Sequence, residues 1–541
     1  MTAGRVDPDP VVGIEPGRPA GPPPGSDGDR TRPGGWVLAH WKSLTVLAAL
    51  LVVAGVVHAI GMSRAPQRVD DEGTYVAQAW AVLHWHTLAH YTYWYDHPPL
   101  GWLLLAAWTG LTGGFSRTAS AIAAGREFML VAQLVSAGLL YGLARRLGLR
   151  RVAAAAGVLL FTLSPLALSF HRGVYLDNVA TPFVLAAFLL ALSPSHRLAA
   201  HAAGGVAMAA AVLAKETSLL LLPALLWQYW QVSDHRTRRY SIALAGSLFV
   251  LVVSAYALYA LLRGELLPGP EHVSLVDAVR FQLAGRAPSG SPFDPGSPAR
   301  HTIEGWLGLD PWLLGAAVVL VPAGLAIRRL RPVTAAFAIL ALMALRPGYL
   351  PVPLVIPMLP FASLLVAGVA DAAGGMRARP RHVAGEGDGQ PLARAARPVL
   401  AACVLLLAAA VVAPGWLERD RDLTTVDHDA PFRQAEAWIG AKVPGDARLL
   451  VDDAVWVDLV SRGRPADRVV WFYKLDTDRD VQARHPRGWR DFHYVMSSPS
   501  LRGYPDSLPQ VAQALRNSRV VATFGRGPGR VEIRRVRAAP A

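Results

Sequence analysis

Three consecutive acids, Asp70, Asp71 and Glu72, open the part of the sequence that is richest in residues able to do chemistry. Adjacent carboxylates repel one another, and burial raises their pKa values further, so one of the three can act as a general base near neutral pH. A structural role is the alternative, because acids also stabilise the first turn of a helix and Thr74–Trp85 is predicted to be helical.

A second polar pair, Asp96 and His97, stands directly before Pro98-Pro99-Leu100. The two prolines start the next helix rigidly and favour an extended residue before it, so we expect the pair to lie at a turn that faces the same cavity as Asp71. A metal site built on the histidines is one interpretation, and an interfacial belt of aromatic residues with neighbouring histidines is the favoured one. The residues concerned are His84, His86, His90 and His97, with Tyr91, Tyr93, Trp94 and Tyr95 in the belt. A divalent metal is compatible with the sequence but not indicated by it, so we predict no cofactor.

The composition indicates a membrane protein. Hydrophobic residues make up 52% of the 541-residue chain and charged residues only 17%, and the apolar residues form blocks of about 20 residues, the length that crosses a bilayer. Eleven blocks lie near 43–61, 126–144, 152–170, 176–193, 202–214, 217–232, 240–262, 306–326, 333–346, 350–370 and 397–416. The net charge of +14 arises with arginine clusters between the blocks, which the positive-inside rule explains better than nucleic-acid binding.

Charge placement predicts how the blocks are arranged. If residues 98–113 lie along the membrane instead of crossing it, four basic clusters all fall on the cytoplasmic side. These clusters are at 145–151, 235–239, 328–331 and within 372–396. The N-terminus is then cytoplasmic, whereas the first outer loop (62–125), the loop 264–305 and everything after 417 lie outside. The Pro/Gly/Ser-rich loop 264–305 is a candidate lid.

The chain is therefore predicted to contain three regions. Residues 1–35, rich in Pro, Gly, Asp and Arg, are expected to be a disordered cytoplasmic tail. Residues 36–416 form the transmembrane catalytic domain, and residues 417–541 form a small extracytoplasmic α/β domain, because strand-like and helix-like segments alternate there. The predicted strands are 448–452, 468–473, 492–497, 520–524 and 531–536, and the predicted helices are 431–442, 454–461 and 507–517. Asp452 and Asp453 end a strand, a common position for active carboxylates, although a solvated turn is the favoured interpretation.

Several polar residues stand at the outer ends of the predicted spans. They are Arg126, Arg172, Lys215, Arg346 and Tyr349. Charges at membrane depth are costly, and cations on the outer side oppose the positive-inside rule, so these side chains need partners. Asp177, Glu216 and Glu127 could neutralise some of them, whereas a functional partner would be the phosphate of a bound lipid.

The order of these features resembles the GT-C membrane glycosyltransferases, in particular the protein O-mannosyltransferases and aminoarabinose transferases of the glycosyltransferase family 39 type. The resemblance covers residues 43–370 and rests mainly on Asp71-Glu72 and His97-Pro98-Pro99-Leu100, although the aminoarabinose enzymes have Lys in place of His97. It implies an α-helical polytopic fold with about eleven transmembrane helices, a polyprenyl-phosphate sugar donor, and transfer with inversion on the outer face. By position, Asp71 matches the catalytic carboxylate, with Glu72 beside it. The substrate-binding candidates are Asp96, His97, Arg126, Arg172, Asp177, Lys215, Arg346 and Tyr349.

We therefore predict a multi-pass cell-membrane glycosyltransferase. It would move a sugar from a polyprenyl phosphate to a hydroxyl of a protein, lipid or polysaccharide acceptor, with Asp71 as the base. The alternative is a polytopic transporter or lipid translocase without transferase chemistry, which many spans and intramembrane charges would suit. It is disfavoured because the two halves of the sequence show no similarity and the polar residues cluster at one face. A further alternative is a non-catalytic assembly protein whose outer domain binds a partner.

Overall fold

A computed structural model describes residues 33–88, 95–193, 198–269, 272–376, 410–503 and 507–537. The α-helices in chain order are α1 (Pro33–Ala59), α2 (Asp70–Trp85), α3 (Leu100–Thr112), α4 (Gly114–Arg117), α5 (Ala121–Arg146), α6 (Arg151–Leu163), α7 (Pro165–Arg172), α8 (Leu176–Ala191), α9 (Leu198–Ala214), α10 (Leu222–Val232), α11 (Arg238–Leu262), α12 (Leu275–Arg280), α13 (Pro298–Leu309), α14 (Pro311–Ala326), α15 (Arg331–Leu345), α16 (Val355–Met376), α17 (410–425), α18 (Ala430–Lys442), α19 (Trp456–Ser461), α20 (Lys474–Thr477), α21 (Arg479–Arg484), α22 (Pro499–Arg502) and α23 (Pro509–Arg516).

Some predicted features lie outside the described residues. They are the tail up to residue 32, most of the basic loop 372–396, most of the span 397–416, and the stretch from His90 to Trp94. The last three residues of the predicted tail, 33–35, begin α1.

Four helices are long and apolar enough to cross a bilayer by themselves, namely His40–Ala59, Ala121–Arg146, Arg238–Leu262 and Val352–Gly374. The pairs α6–α7 and α13–α14 raise this number to six if each is one span, with bends of 61° and 106°. Both bends fall just before a helix that starts with proline, which has no N–H to continue the preceding helix. The predicted α-helical membrane class is confirmed. The number of eleven spans and the side on which each terminus lies stay predictions.

The helix α2 carries the three acids in its first turn. Val69 before it is extended, with φ −125° and ψ 160°, and its backbone N–H donates to the Glu72 carboxylate at 3.4 Å. This bond satisfies an amide that the helix itself cannot pair. The predicted helical segment Thr74–Trp85 is confirmed and extends back to Asp70. Pro98-Pro99 precede α3, so Asp96 and His97 lie in the turn before it.

The C-terminal region contains a five-stranded sheet. Its strands are β1 (Leu449–Val451), β2 (Val469–Trp471), β3 (Tyr494–Ser497), β4 (Ser518–Phe524) and β5 (Val531–Val536), in the order β2-β1-β3-β5-β4. β1 pairs with β2 and β3 in parallel, and β5 pairs with β3 and β4 in antiparallel fashion. β1 and β2 are buried at every residue, as parallel strands covered on both faces must be. All five predicted strands are confirmed, and α18, α19 and α23 correspond to the three predicted helices.

One hydrophobic core joins α2 to this sheet. The rings of Tyr75 and Trp80 belong to the same buried cluster as Trp456 at the start of α19, and the ring centroids of Trp80 and Trp456 lie 5.9 Å apart in an edge-to-face arrangement, which aromatic pairs favour. Gly73 permits this approach, because a Cβ atom there would lie 2.2 Å from the backbone nitrogen of Ala454. The α/β domain therefore packs directly on the helix that carries the acids.

Candidate active site

A group of carboxylates surrounds Tyr75, which is buried in the second turn of α2. Burial raises the pKa of Tyr75, and the negative charges of Asp71, Asp177, Asp96 and Glu216 raise it further. These acids come from the first turn of α2, the first turn of α8, the turn before α3 and the segment after α9. Four separate elements thus bring acids that are distant in sequence to one place, which we call the acid cluster.

A lysine and a histidine lie among these acids. His97 Nδ1 lies 3.1 Å from a Glu216 carboxylate oxygen, and Lys215 Nζ lies 3.3 Å from His97 Nε2 and 3.6 Å from Glu216. Burial opposes the charged form of Lys215, but the carboxylates of Glu216, Asp177 and Asp71 together raise its pKa. Lys215 is therefore protonated at neutral pH, because the ordinary lysine pKa is already far above 7.

The loop 264–305 adds Arg286, a cation that no sequence motif singles out. Its Nη1 donates to the Tyr349 hydroxyl at 2.8 Å, and its guanidinium lies 4.7 Å from the centre of the Tyr349 ring. Its Nε donates to Gln282, whose amide donates to the Asp96 backbone carbonyl at 2.8 Å. Burial raises the pKa of Tyr349. The positive charge of Arg286 opposes this rise, and the negative charge of Asp71 adds to it. Arg286 and Tyr349 therefore stand beside the acid cluster.

Glu72 belongs to a different, buried ion network. Its two carboxylate oxygens accept hydrogen bonds from Arg126 Nε at 2.9 Å and Nη2 at 2.8 Å, and one of them also accepts from the Val174 backbone N–H at 3.0 Å. Arg126 further donates to Asp429 of the C-terminal domain at 3.3 Å. Such a two-pronged pair is strong and fixes both side chains. Glu72 and Arg126 therefore link α2 and α5 to the C-terminal domain.

The comparisons with known proteins identify the fold. Residues 96–259 match the family model described as dolichyl-phosphate-mannose-protein mannosyltransferase, whereas no curated protein sequence matches the chain. The structure of ArnT from Cupriavidus metallidurans in the apo state is similar, with a TM-score of 0.55 and 18% identity over 94% of this chain and 99% of that chain. The same protein bound to undecaprenyl phosphate matches with a TM-score of 0.53 and 18% identity over 94% of this chain and 100% of that chain.

An archaeal structure gives the same result. The oligosaccharyltransferase of Archaeoglobus fulgidus, tethered with an acceptor peptide, has a TM-score of 0.53 and 13% identity over 89% of this chain and 72% of that chain. The chain has the GT-C glycosyltransferase fold. This confirms the predicted resemblance, and the fold together with the apolar helices indicates a multi-pass membrane protein. The residues matched by the family model include Asp96, His97, Asp177 and Lys215, whereas Asp71 lies before the matched range.

Two further arginines that the sequence nominates for substrate binding lie elsewhere in this GT-C fold. Arg172 is buried, and its guanidinium donates to the backbone carbonyls of Leu423, Val57 and Ile60 at 2.5 to 2.7 Å. Arg346 is exposed and has no side-chain partner among the described residues. The predicted residues that the structure does bring together are Asp71, Asp96, His97, Asp177, Lys215 and Tyr349.

Asp452 and Asp453 require a correction. The sequence favours a solvated turn, but these two residues are 0% and 1% exposed. Asp452 accepts hydrogen bonds from the Ala454 backbone N–H at 3.0 Å and the Ser498 hydroxyl at 2.5 Å, and Asp453 accepts one from the Thr74 hydroxyl at 2.6 Å. The prediction was wrong because α2 covers this turn, and nothing in the local sequence encodes that contact.

The structure describes His84, His86 and His97 of the loop 62–125, whereas His90 lies outside the described residues. Within the described ranges, no group of three or more His, Cys, Asp or Glu side chains is arranged to hold a metal ion. His84 stacks on Trp80 with ring centroids 4.4 Å apart, and its Nδ1 lies 2.9 Å from the Trp80 carbonyl oxygen. Tyr91, Tyr93 and Trp94 lie outside the described residues, so the aromatic belt stays a prediction, as does the absence of a cofactor.

Proposed function

We propose that this chain is a membrane glycosyltransferase that moves a sugar from a polyprenyl-phosphate donor to an acceptor hydroxyl, with inversion at the anomeric carbon. The observation that carries the proposal is the partly exposed Asp71 carboxylate in one polar cluster with Lys215 and Arg286. A base next to cations that can hold a phosphate is what this displacement requires. Residues 36–416 would form the catalytic membrane unit, with the N-terminus cytoplasmic and residues 417–541 outside.

Asp71 is the base in this scheme. Its carboxylate takes the proton of the acceptor hydroxyl while the hydroxyl oxygen forms a bond to the anomeric carbon. The bond from that carbon to the phosphate oxygen breaks, and its electron pair leaves with the lipid phosphate. Asp71 lies in the first turn of α2, and its charge acts on Lys215, so the proposed base and a proposed phosphate contact lie in the same cluster.

Lys215 and Arg286 are the proposed phosphate contacts. Lys215 carries its charge at neutral pH because the acids around it raise its pKa. The side-chain partners of Arg286 among the described residues, Gln282 and Tyr349, are neutral, so no carboxylate compensates its charge there. His97, between Lys215 and Glu216, orients the ammonium group. Donors fixed in advance stabilise the charge that develops on a leaving phosphate.

The comparisons support a transferase over the transporter or lipid-translocase alternative. The matching family model describes dolichyl-phosphate-mannose-protein mannosyltransferases, and one similar structure is ArnT bound to undecaprenyl phosphate. Because both descriptions name a polyprenyl or dolichyl phosphate, we propose a polyprenyl phosphate as the lipid part of the donor. The acceptor would be a hydroxyl of a protein, lipid or polysaccharide.

The test is transfer from radiolabelled polyprenyl-phosphate mannose, arabinose and glucose in purified membranes. We expect the wild type to move label to an acceptor and Asp71→Asn to lose on the order of 10²- to 10⁴-fold in turnover. Glu127→Gln is the matched control, because Glu127 is an acid that pairs with Arg117 outside the acid cluster. Near-normal turnover by Asp71→Asn would contradict the role of the base. Label that crosses the bilayer but stays on the lipid would favour a translocase.

A further inference from the structure

Arg68 ties the start of α2 to the C-terminal domain. The residue is 2% exposed, so protein groups must compensate its charge. Its backbone N–H and Nε donate to Asp429 at 3.0 and 3.3 Å, and its Nη1 donates to Glu436 at 2.7 Å and to the Ala454 carbonyl at 3.4 Å. Arg68 lies three residues before Asp71, so the chain is bound to the C-terminal domain immediately before it reaches the proposed base.

Asp429 joins this arginine to the network around Glu72. It accepts a hydrogen bond from Arg68 Nε and another from Arg126 Nη1, both at 3.3 Å, and Arg126 holds the carboxylate of Glu72. Two buried guanidinium groups therefore share one carboxylate of the C-terminal domain. Removing one partner from such a network leaves a buried charge without compensation, which is strongly destabilising.

The two residues that follow the acids contact the C-terminal domain without an ion pair. Gly73 lies so close to the C-terminal domain that a Cβ atom would be 2.2 Å from the Ala454 nitrogen. The next residue, Thr74, donates from its hydroxyl to Asp453 at 2.6 Å and lies 3.3 Å from the Tyr473 hydroxyl. The backbone is thus held by the C-terminal domain on both sides of Asp71.

We infer that the C-terminal α/β domain fixes the position of Asp71, and that Arg68 is the positioning residue that locks this domain onto the first turn of α2. The inference rests on the proposed function for the role of Asp71 as base, whereas the docking itself does not depend on it. A catalytic group displaced by about 1 Å can lose on the order of 10²-fold in rate. The domain is therefore a part of the catalytic unit and not a separable acceptor-binding module.

The experiment uses the full-length protein in lipid nanodiscs with the variants Arg68→Gln, Arg68→Lys and Arg462→Gln. Arg462 is the matched control, because it also pairs with Glu436, at 3.3 Å, but its side chain is 51% exposed. We expect Arg68→Gln to raise hydrogen exchange in the first turns of α2 by roughly tenfold and to lower kcat by roughly 100-fold. The affinity for undecaprenyl phosphate should not change, Arg68→Lys should be intermediate, and Arg462→Gln should resemble the wild type.

Gly73→Ala is a second variant that perturbs the same contact without removing a charge. It should reproduce the faster exchange and lower kcat with unchanged undecaprenyl phosphate affinity, and it keeps the inference testable if Arg68→Gln does not fold. Unchanged exchange in α2 of either folded variant would overturn the inference, and so would an equal response of Arg462→Gln. If the wild type transfers no sugar from any donor, the proposed function fails, whereas the exchange data still decide whether Arg68 locks the domain.

Discussion

Asp71 and Glu72 are neighbours in sequence, yet they occupy opposite environments. One step along an α-helix turns the side chain by about 100°. Asp71 is partly exposed and acts on Lys215 and Tyr349, whereas Glu72 is 0% exposed and accepts two hydrogen bonds from Arg126. A carboxylate that substrate can reach can exchange a proton, but one whose oxygens are held by fixed donors cannot do so without breaking its network. The pair of acids therefore divides into one that can react and one that supports it.

The same contrast separates the two polar regions of the molecule. In the acid cluster, charges come from α2, α8, the turn before α3 and the loop 264–305. The cation of that loop, Arg286, is held by neutral groups. In the buried network, each arginine is matched to carboxylates at 2.7 to 3.3 Å. A cation whose fixed partners are neutral can bind an outside anion, whereas a cation paired with buried carboxylates serves as a fixed contact.

The largest expected effects are opposite phenotypes for the two neighbouring acids. Asp71→Asn should lower turnover by the factor given above and change thermal unfolding little, because the Asp71 side chain is partly exposed and the substitution keeps its size. Glu72→Gln should lower the free energy of unfolding by roughly 3–5 kcal/mol, since it leaves Arg126 buried beside a neutral partner. Thermal unfolding of both variants in nanodiscs, together with turnover at a temperature where both are folded, measures the difference.

A double variant controls for the buried charge. Glu72→Gln combined with Arg126→Met removes both charges and should recover part of the stability lost by Glu72→Gln alone. If Glu72→Gln instead unfolds like the wild type and loses as much turnover as Asp71→Asn, both acids take part in the chemistry. The comparison between them would then be wrong.

The next effect concerns the cation of the acid cluster. Arg286→Gln should weaken undecaprenyl phosphate binding by about tenfold, because a hydrogen bond to a charged group contributes about 1.5–3 kcal/mol and 1.4 kcal/mol corresponds to about tenfold. Native mass spectrometry of the nanodisc-embedded protein, titrated with undecaprenyl phosphate, measures this affinity.

Arg280→Gln is the matched control for Arg286→Gln. Arg280 is an exposed arginine at the end of α12, and no side-chain partner of it occurs in the described part of the chain. Equal loss of affinity in both variants would show that the loop 264–305 attracts the lipid by its net charge alone. That result would contradict a specific role of Arg286.

Local patterns predicted much of the framework. The apolar blocks predicted the four to six candidate membrane spans. The alternation after residue 417 predicted all five strands, and the acids before an amphipathic segment predicted the start of α2. Local patterns did not predict the partners of Arg126. Its position at the outer end of a span predicts a lipid phosphate, but its actual partners include Asp429, which is some three hundred residues away.

Arg68, Glu436 and Arg286 were missed for the same reason. Their roles arise from tertiary contacts between segments that no spacing rule connects. In one contact the residue before α2 meets α18, and in the other the loop 264–305 meets Tyr349. The only signal for Arg68 is its place just before the three acids, which by itself does not distinguish an interfacial cation from a buried one.

The smallest expected effect is the pH dependence of the buried network. Burial raises the pKa of Glu436 to about 7 from an ordinary 4.5, with Asp458 adding to the rise and Arg68 and Arg462 opposing it. The docked state therefore binds more protons than the undocked state between these values. Its extra stability is fully present below pH 4.5 and is lost as pH rises through about 7. Opening of the α2 contact, measured by hydrogen exchange corrected for intrinsic rates, should therefore increase between pH 5 and 8.

Glu436→Gln should flatten this pH profile, because the amide keeps the uncharged state at every pH. Asp467→Asn is the control, since Asp467 is a 69% exposed acid of the same domain, and the wild-type profile should persist in that variant. If opening instead decreases as pH rises, Glu436 is ionised in the docked state and the two arginines outweigh its burial. The contact of Arg68 with Glu436 would then be a full ion pair like that of Arg126 with Glu72, and the C-terminal domain would be held more tightly at neutral than at acidic pH.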